Sequence, residues 1–261
     1  MPVVRRPAIL KAVYDETVKK IRSWEVPNEM IFPTRTLYRA SEAQRFILRS
    51  DGVIDKKSAN QVLIVRDQNA DRNRFSGIPC NTGISAWGGL YCSLQHSALV
   101  NELLHYAGPE IPRNKQTGLP RADQTLECKC VVKIRLMGSV LAADLSPHNP
   151  GARKFVEDLG RCPTVQSAFH STGNLAVTIW RDLFDGEDCS VARGIGLAVA
   201  NSGIFHALQA LSVRSSGRPG GETGDNVVFF AHDNQSPPGL WIEEAYLFPV
   251  NAKPQVYPVE F

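Results

Sequence analysis

The run Ser190-Val-Ala-Arg-Gly-Ile-Gly-Leu-Ala-Val-Ala200 constrains this chain most. Its side chains are small or apolar on every side, with Arg193 the sole charge. A stretch of that kind reads as a helix buried among close neighbours, because nothing on its surface favours water. Gly194 and Gly196 lack the third glycine of a dinucleotide-binding fingerprint and do not follow a strand, so close helix packing explains them. After Asn201-Ser202-Gly203 the pattern resumes as a second helical piece through His206 to Leu211. A buried helix needs a core around it, and 261 residues can bury roughly 70–75 % of the extended-chain surface.

Around that helix, helical and extended patterns alternate. Residues 7–24 place Leu10, Val13, Tyr14, Val18, Ile21 and Trp24 at three- and four-residue intervals, an amphipathic helix ended by Pro27. Further helices are expected from Ser97, a cap, through Leu104 and over 152–159. Strands are expected at 60–66, 89–94, 175–180, 226–231 and 241–250, where β-branched and aromatic residues cluster. Residues 126–145, broken by Gly138, read as one long bent strand or a hairpin. No linker or repeat divides the chain, so the expected fold is a single α+β domain.

The 29 Lys and Arg against 26 Asp and Glu give a net charge of +3, too mild and too scattered for a nucleic-acid surface. No stretch has the length of an apolar membrane span, and the start lacks the apolar centre of a signal peptide. Synthesis in the cytoplasm is expected, with delivery by a route needing no signal peptide left open. Six cysteines without a Cys-x-x-Cys pair fit free thiols in a reducing compartment, and no metal is expected. There is no phosphate-binding P-loop, no Gly-x-Ser-x-Gly elbow and no His-Glu-x-x-His. Lone histidines at 96, 105 and 206 read as packed or capping residues.

The most informative residues are an ordered set. Leu37-Tyr38-Arg39 is followed by Arg74-Phe75-Ser76-Gly77, by Leu90-Tyr91-Cys92-Ser93, and by a helix carrying Glu102 eleven residues after Tyr91. Ser215-Ser216 and the strand Asn226-Val-Val-Phe-Phe230 come last. In order and interval this set resembles the RES-domain family, named for an arginine, a glutamate and a serine. The resemblance implies a split or bent β-sheet flanked by helices, similar to ADP-ribosyltransferases, in a domain over 36–250. It leaves insertions near 106–125 and 146–188, a helical extension over 1–35 and a tail over 251–261.

The same resemblance implies NAD as substrate, with no further cofactor, and an enzyme of toxin type with a neutralising antitoxin or immunity protein as partner. A homo-oligomer is left open. It assigns Arg39, Glu102 and Ser215, or its neighbour Ser216, to catalysis, and Arg39, Arg74, Tyr91 and Ser215 to NAD binding. The chemistry suits these types. Breaking the nicotinamide–ribose bond develops positive charge on the sugar, which the Glu102 carboxylate would stabilise. A guanidinium can grip the pyrophosphate through two parallel bonds, the role of Arg39 and Arg74. The Tyr91 ring can stack on nicotinamide, and a Ser215 hydroxyl can hold a ribose or Glu102. The acceptor stays open between water, phosphate and a protein side chain. A mono-ADP-ribosyltransferase or a non-enzymatic nucleotide- or protein-binding module remains the alternative.

Overall fold

A computed structural model describes residues 6–42, 47, 49–65, 74–75, 82–96, 99, 129–185, 189–211, 224–232, 234–247 and 255–259. Its strands are β1 Asn28–Ile31, β2 Leu37–Glu42, β3 Gly88–Ser93, β4 Lys129–Leu136, β5 Val140–Asp144, β6 Ala207–Leu211, β7 Asp225–Ala231, β8 Leu240–Leu247 and β9 Gln255–Pro258. They form one sheet in the order β1-β5-β6-β7-β3-β2-β4-β8-β9, antiparallel throughout except for β5 against β6. The helices are α1 Pro7–Arg22, α2 Lys56–Asn60, α3 Pro150–Arg161, α4 Pro163–Ala168, α5 Ala176–Asp185 and α6 Ser190–Asn201. The chain is α+β, a single sheet flanked by helices.

The sheet is split and bent. Strands β4 and β5 are separated in the chain only by Met137, Gly138 and Ser139, yet lie near opposite ends of the strand order. A link that short reaches at most roughly 14 Å, little more than the spacing of two packed sheets, so the two halves must fold toward each other. Their facing surfaces share a core: Leu90, Ala142, Ala207, Val227 and Phe229 from one half meet Leu37, Val132, Ile134 and Ile242 from the other. The fold line lies between β2 and β3. These strands pair only at Tyr38 and Ser93, whereas β2 pairs with β4, and β3 with β7, over six positions each.

The outer face of the β1-β5-β6-β7-β3 half is covered by helices. Ile9, Val13 and Ile21 of α1, Phe155 and Leu159 of α3, Ile179 of α5 and Ile195 of α6 pack there on Ala143, Leu208, Val228 and Phe230. Helix α1 therefore belongs to this layer, and so do α3 to α5, which occupy the segment expected as an insertion over 146–188. Helix α6 is buried from Ser190 to Ala200. A Cβ on Gly194 would come within 2.8 Å of the Leu10 carbonyl, and one on Gly196 would run into the carbonyl of Phe75. The small residues thus seat α1 on one side and the 74–75 segment on the other.

Several sequence expectations are overturned. Of the strand expected over 60–66, the described residues 60–65 form no strand: Lys56–Asn60 is helical, capped by Asp55 Oδ2 accepting from Ser58 N at 2.7 Å, and Gln61–Leu63 is a 3₁₀ turn. Residues 175–180 enter α5 rather than a strand, with Asn174 Oδ1 accepting from Ala176 N at 3.0 Å. Residues 207–211 form a central strand buried at every position, not a helix. Residues 126–145 hold two strands that do not pair with each other.

Candidate functional site

Three of the five residues singled out from the sequence are described, and a path of contacts that starts where the sheet splits joins them. Past the single Tyr38–Ser93 rung the β2–β3 ladder stops. There Arg39 Nη1 donates to the Tyr91 carbonyl at 2.9 Å, filling the place of a missing ladder bond. Arg39 stands opposite the buried Val132, so its stem lies on the inner face while its head enters the seam. Burial pushes the neighbouring Cys92 thiol up to about 12, with the Arg39 charge pulling the other way.

Tyr91 points to the outer face, packed against the helix-covered core. Its hydroxyl accepts from Phe75 N at 2.8 Å. Phe75 is fully buried, and its carbonyl faces Gly196 of α6. The Arg74 guanidinium lies 4.7 Å from the Phe75 ring centroid and donates to the carbonyls of Phe184, at 3.1 Å, and Leu211, at 3.3 Å. Leu211 ends β6, from which the chain runs on toward Ser215. One path of contacts therefore links Arg39, Tyr91, Phe75, Arg74 and the end of β6. Of these groups Arg39 lies in the seam, Tyr91 packs against the helix layer and Arg74 is held at the ends of β6 and α5, so a ligand entering at the split meets the Arg39 guanidinium first.

Glu102, Ser215 and Ser216 lie outside the described residues, as does the 106–125 insertion. Of the helix expected from Ser97 through Leu104, only Leu99 is described, its N donating to Gln95 O at 3.2 Å. His206 is exposed and its N–H donates to Leu141 O at 3.0 Å, away from the seam. Among the described residues no group of three His, Cys, Asp or Glu side chains could hold a metal ion.

Sequence reasoning passed over a polar group at the β6–β7 end. Asp225 Oδ2 accepts from Gln209 Nε2 at 3.0 Å, and Asp225 N donates to Gln95 Oε1 at 3.0 Å. Burial holds the Asp225 carboxyl above the usual carboxylate range, against the Gln209 hydrogen bond that lowers it. Its signal was visible: Asp225 directly precedes the Asn226 that opens the last matched strand.

A second set occupies the outer face of the β2-β4-β8 half. Tyr38, Lys133 and Glu244 stand on one rung. The β4–β8 register shifts at Lys133, so that Glu243 and Glu244 both reach Lys133 Nζ, at 3.0 and 3.5 Å. An extra residue in one strand re-aims its side chain in this way. Arg135 Nε closes the group on Glu243 at 2.7 Å. These pairs raise the Lys133 pKa, chiefly through the Glu243 hydrogen bond.

Fold and site together define an α+β chain with one split sheet and an arginine, Arg39, bonded across the split. No family model and no curated protein matches it. Among solved structures, the M. tuberculosis MbcT-MbcA toxin-antitoxin complex aligns with 15 % identity and a TM-score of 0.46, over 88 % of this chain and 90 % of that one. No helix among the described residues is long and apolar enough to cross a membrane.

Proposed function

We propose that this chain is an NAD-consuming enzyme of toxin type that cleaves the bond between nicotinamide and ribose. The observation carrying this reading is that Arg39, Tyr91 and Arg74, far apart in sequence and chosen from an ordered motif set, lie on one path of contacts that starts at the split of the sheet. In the reaction the C1′–N bond breaks and its electron pair stays on nitrogen, so neutral nicotinamide leaves and positive charge develops on the ribose. Glu102 stabilises that charge. Water or phosphate then bonds to C1′ and gives up a proton, yielding ADP-ribose or its 1″-phosphate. Arg39 and Arg74 hold the pyrophosphate, Tyr91 covers the nicotinamide ring and keeps water from it, and Ser215 or Ser216 orients a ribose hydroxyl or Glu102. A neutralising partner protein belongs to this reading.

One observation favours a second reading, a binding module without chemistry. Arg39 and Arg74 each direct N–H groups at backbone carbonyls, as arginines serving only to pin a fold would. The experiment that separates the two is incubation of the purified chain with NAD, with and without phosphate, followed by chromatography of free nicotinamide. Nicotinamide released with matching ADP-ribose supports hydrolysis, and release that depends on phosphate supports phosphorolysis. NAD left intact by a folded chain refutes the enzymatic reading.

A further inference from the structure

Tyr38 stands on the rung that joins the two halves of the sheet. Its partner Ser93 is two residues from Tyr91 on the same strand, so both tyrosines emerge on the outer face. Tyr91 faces the helix layer, whereas Tyr38 faces the half that α1 and α3 to α6 leave uncovered. There the His96 ring meets Tyr38 edge-on, with centroids 5.5 Å apart and planes at 79°. It meets Tyr246 at 6.5 Å and 61°. Three rings thus cluster on the outer face beside the seam. His96 stays exposed although two rings flank it, and desolvation lowers its pKa, which favours the uncharged imidazole.

The wall is braced from beneath. Tyr246 Oη donates to Glu244 Oε2 at 2.9 Å, and Lys133 ties Glu244 to Glu243. The Glu244 carboxylate bonded to Tyr246 is a hydrogen-bond acceptor, the complement of an exocyclic amine, and the rings offer faces and edges to a flat heterocycle. A purely apolar contact would need neither the half-buried ion-pair group nor a polar imidazole at its rim.

We propose that Tyr38, His96 and Tyr246 form a base-binding wall that takes the adenine end of the dinucleotide. This rests on the NAD-consuming reading for the identity of the ligand. It places the two flat ends of NAD on either side of the Tyr38–Ser93 rung, nicotinamide toward Tyr91 and adenine toward His96, with the pyrophosphate between them near Arg39.

The test compares NAD with nicotinamide mononucleotide, which has the scissile bond but no adenine, and adds AMP as a binding probe. His96→Ala and Tyr246→Leu should each raise KM for NAD about tenfold, the loss of one base–ring stack, with kcat held within twofold. KM for the mononucleotide should rise less than twofold, and the Kd of AMP should rise by the factor seen for NAD. Tyr246→Phe keeps the ring and should raise KM for NAD less than threefold, which guards against a folding defect in Tyr246→Leu. An unchanged KM for NAD, or equal rises for NAD and the mononucleotide, overturns the wall. A wild-type chain that releases no nicotinamide overturns the reaction instead. AMP then still decides the wall: binding to wild type that weakens in Tyr246→Leu supports it, and no binding to wild type refutes it.

Discussion

Gly196→Ala is a small change with a large expected effect. The added methyl would run into the carbonyl of Phe75, a backbone atom with no rotamer to escape by. Restoring van der Waals separation moves α6 or the 74–75 segment by on the order of an ångström, and strain of this kind costs about 1–3 kcal/mol in a packed core. For a chain of this size that corresponds to a fall in Tm of roughly 2–6 °C. The same movement loosens the Phe75 N to Tyr91 Oη bond and the Arg74 contacts to Phe184 and Leu211. Misplacement on that scale near a reacting group lowers turnover about a hundredfold. Gly194→Ala supplies the comparison, since its methyl meets Leu10 O and Val13 on α1 instead. It should lower Tm comparably and leave the seam intact. Thermal unfolding and nicotinamide release, measured on both variants, decide the matter. Equal loss of activity in the two, or a Gly196→Ala protein that melts and turns over like wild type, refutes the argument that α6 positions the seam through Phe75.

Glu102→Gln should reduce nicotinamide release about a hundredfold while melting near wild type, because it removes charge stabilisation and keeps volume; near-wild-type turnover excludes Glu102 as the carboxylate. Arg39→Lys should weaken NAD binding at least tenfold by calorimetry, since a lysine cannot span the seam to Tyr91 O and grip a pyrophosphate through two bonds; an unchanged Kd places Arg39 outside the pocket. Deleting residues 1–27 strips Ile9, Val13 and Ile21 from the helix-side core and should give an insoluble or markedly less stable chain; a truncated chain with unchanged Tm refutes that role. Asp225 has a raised pKa when folded, so its proton is bound more tightly in the native state. Its contribution to stability is therefore lost as pH climbs from the ordinary carboxylate pKa through the raised one. Asp225→Asn should flatten that part of the stability–pH curve in urea titrations, and an identical curve contradicts the assignment.

What could be read from the sequence divides by the range of the interactions. Helix α1 and the buried helix α6 were legible because their periodicity and composition are local. So were β3, β7 and β8, whose runs of Tyr, Val, Phe and Ile suit a half-buried pleat. The run Val62-Leu63-Ile64-Val65 misled because a short apolar stretch carries no period, although Asp55, three residues before Ser58, was a readable cap. Asn174 gave the same unread signal ahead of α5, where Leu175, Ile179 and Leu183 repeat every fourth residue. Ala207-Leu-Gln-Ala-Leu211 is rich in helix formers and becomes a strand only because it is buried between β5 and β7. The motif residues were found by order and interval, but the bond from Arg39 to Tyr91 depends on where β2 and β3 part, which no local pattern encodes. The aromatic wall depends on a register shift in β8 and was equally hidden.

The three-residue link between β4 and β5 also fixes how the chain must reach its native state. Neighbours in sequence there are not partners in the sheet, so β4 and β5 cannot form as a local hairpin. The ladders instead join β3 to β7 and β4 to β8, segments more than a hundred residues apart, and the loop-closure entropy of each is lost before any cross-strand contact returns it. Folding is accordingly slow and late to commit, and until the two halves close, their apolar inner faces and unpaired strand edges stand open to other copies of the chain.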